Sequence, residues 1–271
     1  MPRVDYDQIA HLYDEPSRDH GVDPHLVAYL AARPALEVGQ ARLLDVSCGT
    51  GKQLSANRAR FPHAFAAGLD RYAGMLRLAH RRGPDLAWVQ GDGAALPFRG
   101  ESFDFATNQF AYAHVTDKSS LARELYRVLR PGGRFVLTNI DPWSMQGWHL
   151  YRFFPEARDL DFADFLPGEQ LLAFLQEAGF RPVQAVRDHR RTREDVRAFL
   201  EFARERHRTS HFLALADEAY RAGMERIQGA IAAAGEGPLL VDSEFCRLTI
   251  TADKPPAVGA GGPREGGAAG G

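Results

Sequence analysis

Apolar and polar positions alternate in two rhythms between residues 41 and 140. Short apolar runs at Arg42–Val46, Ala64–Leu69, Leu86–Gln90, Phe103–Thr107 and Arg134–Ile140 read as strands. Segments of helical period lie between them. The clearest is Ser119–Arg130, where Leu121, Leu125, Val128 and Leu129 fall at i, i+4, i+7 and i+8. Pro131-Gly132-Gly133 predicts its end. Strand–helix alternation predicts an α/β fold, a mostly parallel sheet with helices on both faces.

Beyond residue 140 the pattern changes. Pro167–Ala178 reads as a helix with Leu171, Leu172, Phe174, Leu175 and Ala178 on one stripe, and Arg181–Arg187 as a strand. Two further helices follow, one aligning Val196, Phe199, Leu200 and Ala203, the other Tyr220, Met224, Ile227 and Ile231. Phe245–Thr251 alternates and reads as a last strand. These helices either pad the fold or cover the sheet's open end, and their interrupting two strands of one sheet favours a cover. The domain reading is an N-terminal helical cover over 1–40 and a main domain over 41–254. Insertions are expected near 141–166 and 190–240. The Gly-, Pro- and Ala-rich residues 255–271 read as a disordered tail.

The chain has 271 residues, 45% of them hydrophobic and 25% charged, which excludes a mainly disordered protein. A net charge of −2 argues against a nucleic-acid binder. The Arg-rich run Arg187–Arg208 is interleaved with Asp188, Glu194, Asp195, Glu201 and Glu205, the pattern of a solvated helix face. No apolar run is long enough to span a membrane, and the first residues lack the apolar core of a leader, so a cytoplasmic location is expected. Cys48 and Cys246 are the only cysteines, too few for a disulfide framework, and no metal site is expected.

The sharpest chemical signal is Leu43-Leu44-Asp45-Val46-Ser47-Cys48-Gly49-Thr50-Gly51-Lys52-Gln53-Leu54, a strand, a small-residue turn and a helix start. Free N–H groups and partial positive charge gather at such a turn. A phosphate-binding loop would need Gly at 46 and Ser or Thr at 53, where Val46 and Gln53 stand. A dinucleotide fingerprint would need a small residue at 54, where Leu54 stands. S-adenosylmethionine fits better, because its carboxylate uses the same backbone donors and its amino group needs an acceptor such as Asp45. Asp70, nineteen positions after Gly51, ends the second strand and is placed to accept ribose hydroxyls. Asp92, in Gln90-Gly91-Asp92-Gly93 after the third strand, is placed to accept from an adenine amine. A helix cap at Asp70 and a turn aspartate at Asp92 are the structural alternatives.

With these residues in order, the chain resembles the class I S-adenosylmethionine-dependent methyltransferases, in particular the ubiquinone/menaquinone-type small-molecule branch. The resemblance rests on Leu43–Gly51, Gly68-Leu69-Asp70 with Met75-Leu76, Gly91–Phe98, Ser102-Phe103-Asp104-Phe105, and Glu124–Gly133 followed by Phe135–Thr138, about a hundred residues. Tyr6–Asp14 resembles the family's N-terminal cover. One departure is Ser47 in place of the first motif glycine. The resemblance implies a Rossmann-like sheet of seven strands, the last antiparallel. It places Asp45, Ser47, Gly49 and Gly51 at the methionine end of the cofactor and Asp70 at the ribose. Arg71, Asp92 and Gly93 fall at the adenine, Asn108 and Gln109 near the methionyl group, and Tyr13 closes the pocket.

Methyl transfer from a sulfonium is an in-line displacement whose leaving group departs neutral. Alignment and water exclusion therefore carry much of the catalysis, and oxygen or carbon acceptors add a base. His114, after the fourth strand, is the first candidate, ahead of His149, His20 and His11. The rings of Trp143, Trp148, Tyr151, Phe153, Phe154, Phe162 and Phe165 follow the fifth strand; ordinary core packing explains several of them, and the segment also suggests an apolar or aromatic acceptor. Trp143, Trp148, Tyr151 and Arg152 are the substrate candidates, and Arg152, Arg190 and Arg191 suit an acidic acceptor instead. The expected activity is methyl transfer to a small molecule. The alternatives are a cofactor-binding sensor or scaffold without turnover, and a nicotinamide oxidoreductase, which Leu54 disfavours.

Overall fold

A computed structural model describes residues 4–14, 21–33, 36 and 40–257. His20 and residues 258–271 of the tail lie outside the described residues. Seven strands form one sheet: β1 (Arg42–Val46), β2 (Phe65–Asp70), β3 (Ala87–Gln90), β4 (Phe103–Gln109), β5 (Leu129–Ile140), β6 (Val183–Asp195) and β7 (Leu240–Asp253). Their order is β3-β2-β1-β4-β5-β7-β6. β1 pairs in parallel with β2 and β4, β2 with β3, and β4 with β5, while β7 runs antiparallel to both β5 and β6. The chain leaves β1 toward β2 and β3, then returns to β4 on the other side. The carboxyl ends of β1 and β4 therefore flank the crevice where open α/β sheets bind ligands.

The helices are α1 (Tyr6–Ile9), α2 (Pro24–Ala31), α3 (Lys52–Arg60), α4 (Ala73–Arg82), α5 (Lys118–Val128), α6 (His149–Phe153), α7 (Pro155–Asp164), α8 (Gly168–Glu177), α9 (Val196–Arg204), α10 (Ser210–Ala214) and α11 (Asp217–Ala234). Successive strand residues face opposite sides. Leu44, Val46, Ala67 and Leu69 pack with Leu121 and Leu125 of α5. Leu43, Ala66, Phe105 and Val136 pack on the other side with Leu26, Tyr29 and Leu30 of α2 and Leu54 of α3. Fully burying each such aliphatic side chain stabilises by about 1.5–3 kcal/mol, so strand alternation sets the helices on both faces.

Three boundaries differ from expectation. α5 ends at Val128, and Leu129 already extends into β5, so Pro131-Gly132-Gly133 lies inside the strand. Its start is held by Lys254, whose ammonium donates to the Leu129 and Tyr126 carbonyls. β6 and β7 run well past their apolar cores and pair from Val183↔Ala252 to Asp195↔Leu240. The second excursion therefore occupies 196–239, because residues 190–195 belong to the strand. Exposed polar residues dominate the outer half of β6, so no period-2 apolar signal marked it.

Candidate functional site

The turn after β1 is built from left-handed residues: Ser47 (φ 61°), Gly49 (φ 55°) and Gly51 (φ 76°). Gly51 also lacks room for a side chain, since a Cβ there would come within 2.5 Å of Trp88 Cη2. Ser47 adopts the same region at a steric cost of about 1–2 kcal/mol. The turn opens onto a cavity of about 760 Å³ at the carboxyl ends of the strands, within the usual size of small-molecule sites.

Three acidic groups line the cavity, with Asp23 standing behind Asp45. Asp45, at 3% exposure, lines the cavity and makes no side-chain hydrogen bond among the described residues. Burial pushes its carboxyl well above the ordinary carboxylate range, and the nearby Asp23 and Asp70 charges add to the rise. A buried acid without a partner is costly unless a ligand supplies one. Asp70 accepts from the Gly49 N–H at 2.8 Å and the Tyr72 N–H at 3.0 Å. Its pKa is raised by burial and restrained by those donors. A carboxylate has about four acceptor positions, so acceptor capacity remains for a ligand. Asp92 pairs with Arg71 at 2.7 Å and accepts from the Ala94 N–H at 2.9 Å. Asp23 accepts from Gln109 Nε2 at 3.4 Å, and burial raises its pKa. Gly93 stands close to the wall: a Cβ there would lie 3.2 Å from Val46 Cγ1.

The N-terminal segment and the second excursion close the opposite side. Tyr6 and Tyr13 line the cavity, their rings 5.2 Å apart. The Tyr6 hydroxyl meets His114 Nε2 at 3.1 Å and also contacts Ser210. Burial, followed by the neighbouring Tyr13, raises the Tyr6 phenol. His114 is in a 3₁₀ turn (Tyr112–His114) after β4 and lines the cavity. Phe110, left-handed at φ 52° and 41% exposed, lines it too. Phe202, Arg208, Thr209 and Ser210 come from the second excursion and Phe245 from β7.

The cavity thus gathers Tyr13, Asp45, Ser47, Gly49, Asp70, Arg71, Asp92, Gly93, Gln109 and His114. Gly51 and Asn108 stand behind it. Asn108 is fully buried and its amide donates to the Val46 carbonyl at 2.8 Å, joining β4 to β1. The four substrate candidates do not line it. Trp143 stacks on Phe162 at 4.6 Å and donates to the Phe165 carbonyl. Trp148 packs edge-on to Tyr151 and Phe245, placing it behind a lining ring. Tyr151 is buried and donates to Asp161, and Arg152 is exposed on α6. The rings of 148–154 instead form a core with the second excursion: Phe154 meets Phe212 at 4.8 Å and Phe153 meets Phe199 at 5.8 Å. Ring-rich composition identifies such a cluster but not which side of it faces ligand. Arg190 and Arg191 are exposed on β6, Arg190 beside Asp188 and Arg191 beside Glu244.

Leu54, the residue at odds with a dinucleotide fingerprint, is 1% exposed and fills the core beneath the turn. Among the described residues no cluster of His, Cys, Asp or Glu is placed to hold a metal, and no helix is long and apolar enough to cross a membrane.

The family model described as a methyltransferase domain matches residues 44–137. The 2-phytyl-1,4-naphtoquinone methyltransferase of Thermosynechococcus vestitus is 32% identical over 207 residues, covering 66% of this chain and 90% of that one. The demethylmenaquinone methyltransferase of Beutenbergia cavernae is 31% identical over 219 residues, covering 68% and 88%. Among solved structures, phosphoethanolamine N-methyltransferase 2 of Haemonchus contortus, in complex with phosphomonomethylethanolamine and S-adenosylhomocysteine, has a TM-score of 0.58. It is 19% identical, with 92% of this chain and 57% of that one covered, a likeness of fold.

Proposed function

Because the chain belongs to the S-adenosylmethionine-dependent methyltransferases of the ubiquinone/menaquinone type, we propose that its cavity methylates a hydroquinone-type aromatic small molecule. The observation that carries the reading is Asp45: a buried carboxylate at the end of β1, without a partner among the described residues, facing a cavity whose other wall is made of rings.

The residues present fit the donor. When bound, S-adenosylmethionine supplies an activated methyl group on a cationic sulfur that leaves as a neutral thioether. In our reading Asp45 takes the amino group and the Ser47–Gly51 turn holds the methionine end. Asp70 accepts from the ribose hydroxyls with the lone pairs its backbone donors leave free. Asp92, Arg71 and Gly93 border the adenine. Asn108 acts indirectly, fixing β4 to β1, while Gln109 reaches the methionyl side and Tyr13 closes the cavity. Holding donor and acceptor in line is worth about 7–11 kcal/mol in favourable systems.

The acceptor wall is Phe110, Phe202, Phe245 and Tyr6, with Arg208 at its edge, rather than the ring segment after β5. Its make-up suits a flat aromatic ring. The quinones named for the two relatives fit that wall when reduced, since a hydroquinone ring is electron-rich enough to attack a methyl group and a quinone ring is not. His114 lines the cavity near the end of β4 with its Nε2 engaged by the Tyr6 hydroxyl, and unaltered turnover in His114→Ala would dismiss it as the base and leave the proton to another group of the lining. The test of the acceptor class is a product-mass assay with the methyl donor, offering a prenylated 1,4-dihydroxynaphthalene, a simple phenol and a primary amine. A product one methylene heavier with the dihydroxynaphthalene supports the reading. Methylation of the amine alone overturns it.

A further inference from the structure

A hydroxyl, an imidazole and a carboxylate form a continuous chain running from the cavity into the cover. Thr209 lines the cavity, and its Oγ1 lies 2.7 Å from His211 Nδ1. His211 Nε2 lies 3.0 Å from Asp161 Oδ2. Asp161 is buried in α7 and His211 largely enclosed in α10, two elements fifty residues apart in sequence. We propose that Thr209, backed by His211 and Asp161, takes the proton from the acceptor hydroxyl during methyl transfer.

With a single proton on His211, the hydrogen-bond partners set the direction of the chain. Tyr151 also meets Asp161 Oδ2, and burial, followed by the Asp161 charge, raises its phenol. Tyr151 therefore keeps its proton and donates. For Asp161 Oδ2 to accept from both neighbours, a singly protonated His211 carries its proton on Nε2. Nδ1 is then a bare acceptor, and the Thr209 hydroxyl donates to it. The His211 backbone N–H donates to the same hydroxyl oxygen at 3.3 Å, and the edge of Trp148 fixes the imidazole plane, with ring centroids 5.1 Å apart. The arrangement is the hydroxyl–imidazole–carboxylate pattern that activates a hydroxyl in unrelated folds. Ser210, the next residue, contacts Tyr6, which in turn meets His114 beyond β4, so Thr209 stands at the acceptor side of the cavity.

The step balances as follows. The acceptor O–H bond breaks, and its electron pair, delocalised through the hydroquinone ring, forms the new bond to the methyl group as the methyl–sulfur bond breaks with its pair left on the neutral thioether. Where a ring carbon takes the methyl, its C–H proton then returns through water to the oxygen and the ring regains aromaticity. The acceptor hydroxyl proton bonds to Thr209 Oγ1 while the proton already on Thr209 passes to His211 Nδ1. The resulting imidazolium faces the Asp161 carboxylate, and water removes the extra proton after turnover. No oxidant or reductant is needed. Thr209 is the catalytic residue, and His211 and Asp161 are positioning residues that act through it.

A helix cap would explain Thr209 without any chemistry, so the test must separate the two roles. The variants are Thr209→Val, Thr209→Ser, His211→Gln and Asp161→Asn. The acceptor probe is the prenylated 1,4-dihydroxynaphthalene, with S-adenosylhomocysteine titrations and melting curves as folding controls. The relay predicts that Thr209→Val and His211→Gln lower kcat by about 100-fold or more. KM and S-adenosylhomocysteine affinity should change little, Asp161→Asn should lower kcat less, and Thr209→Ser should restore most of the rate. Folded Thr209→Val with kcat near wild type overturns the proposal. The relay rests on the methyltransferase reading for its acceptor, and a readout free of that reading is heteronuclear NMR of the ring nitrogens, assigned with His211→Gln. A proton on Nε2 and none on Nδ1 in neutral His211 is required. The opposite tautomer overturns the relay even if the dihydroxynaphthalene is methylated, whereas no turnover with the required tautomer refutes the acceptor class alone.

Discussion

Replacing Asp45 by asparagine sets two effects of one charge against each other. In the free protein the carboxylate is buried, without a partner among the described residues, and close to Asp23 and Asp70, all of which raise its pKa. A carboxyl whose folded pKa exceeds its unfolded value holds its proton more tightly when folded. Its ionisation therefore costs stability as pH rises from about 4 through the folded pKa, and the full cost persists above it. An asparagine amide carries no charge at any of these pH values, so Asp45→Asn is expected to melt higher than wild type at pH 8, with the gap closing toward pH 4. Binding should move the other way. The amino group of S-adenosylhomocysteine would lose a charge-assisted hydrogen bond worth about 1.5–3 kcal/mol, a Kd weaker by about 10- to 150-fold. Calorimetric titration at pH 8, paired with melting curves across pH 4–8, reads both. A Kd within twofold of wild type would refute the assignment of Asp45 to the amino group. A lower melting temperature at pH 8 would refute the argument that the free carboxylate is strained.

Asp70→Ala removes the acceptor of two backbone N–H groups and of the proposed ribose contact; S-adenosylhomocysteine affinity should fall tenfold or more, about 1.4 kcal/mol, and unchanged affinity in folded protein would overturn that role. Ser47→Gly relieves a left-handed serine and should stabilise by about 1 kcal/mol, raising the melting temperature by about 2–4 °C; a lower value would show that the hydroxyl matters more than the backbone. Gly51→Ala drives a Cβ to within 2.5 Å of Trp88 at positive φ and should destabilise by about 2–5 kcal/mol in urea unfolding.

The cavity wall at the first three strand ends was legible because its residues are local. The turn from Asp45 to Gly51, then Asp70 and Asp92, fall at successive strand ends, and a parallel sheet brings all such ends to one rim. The opposite wall was not legible. Phe202, Thr209 and Ser210 carry no motif, and only the folding of the 196–239 segment brings them into the same cavity lining as Asp45. The pairing of Asp161 with His211 is equally non-local. Aromatic density after β5 drew attention to Trp143, Trp148 and Tyr151, yet those rings cement the cover instead of lining the cavity. Tyr6 lies in the segment that resembles an N-terminal cover, but its meeting with His114 depends on α1 docking against α4, where Asp7 caps the Gly74 N–H.

The most direct test is a crystal structure with S-adenosylhomocysteine bound. Our account predicts its amino group against the Asp45 carboxylate, its ribose at Asp70 and its adenine beside Asp92, leaving Thr209 and Phe245 facing open space. A ligand seated elsewhere, or one whose amino group points away from Asp45, would contradict it.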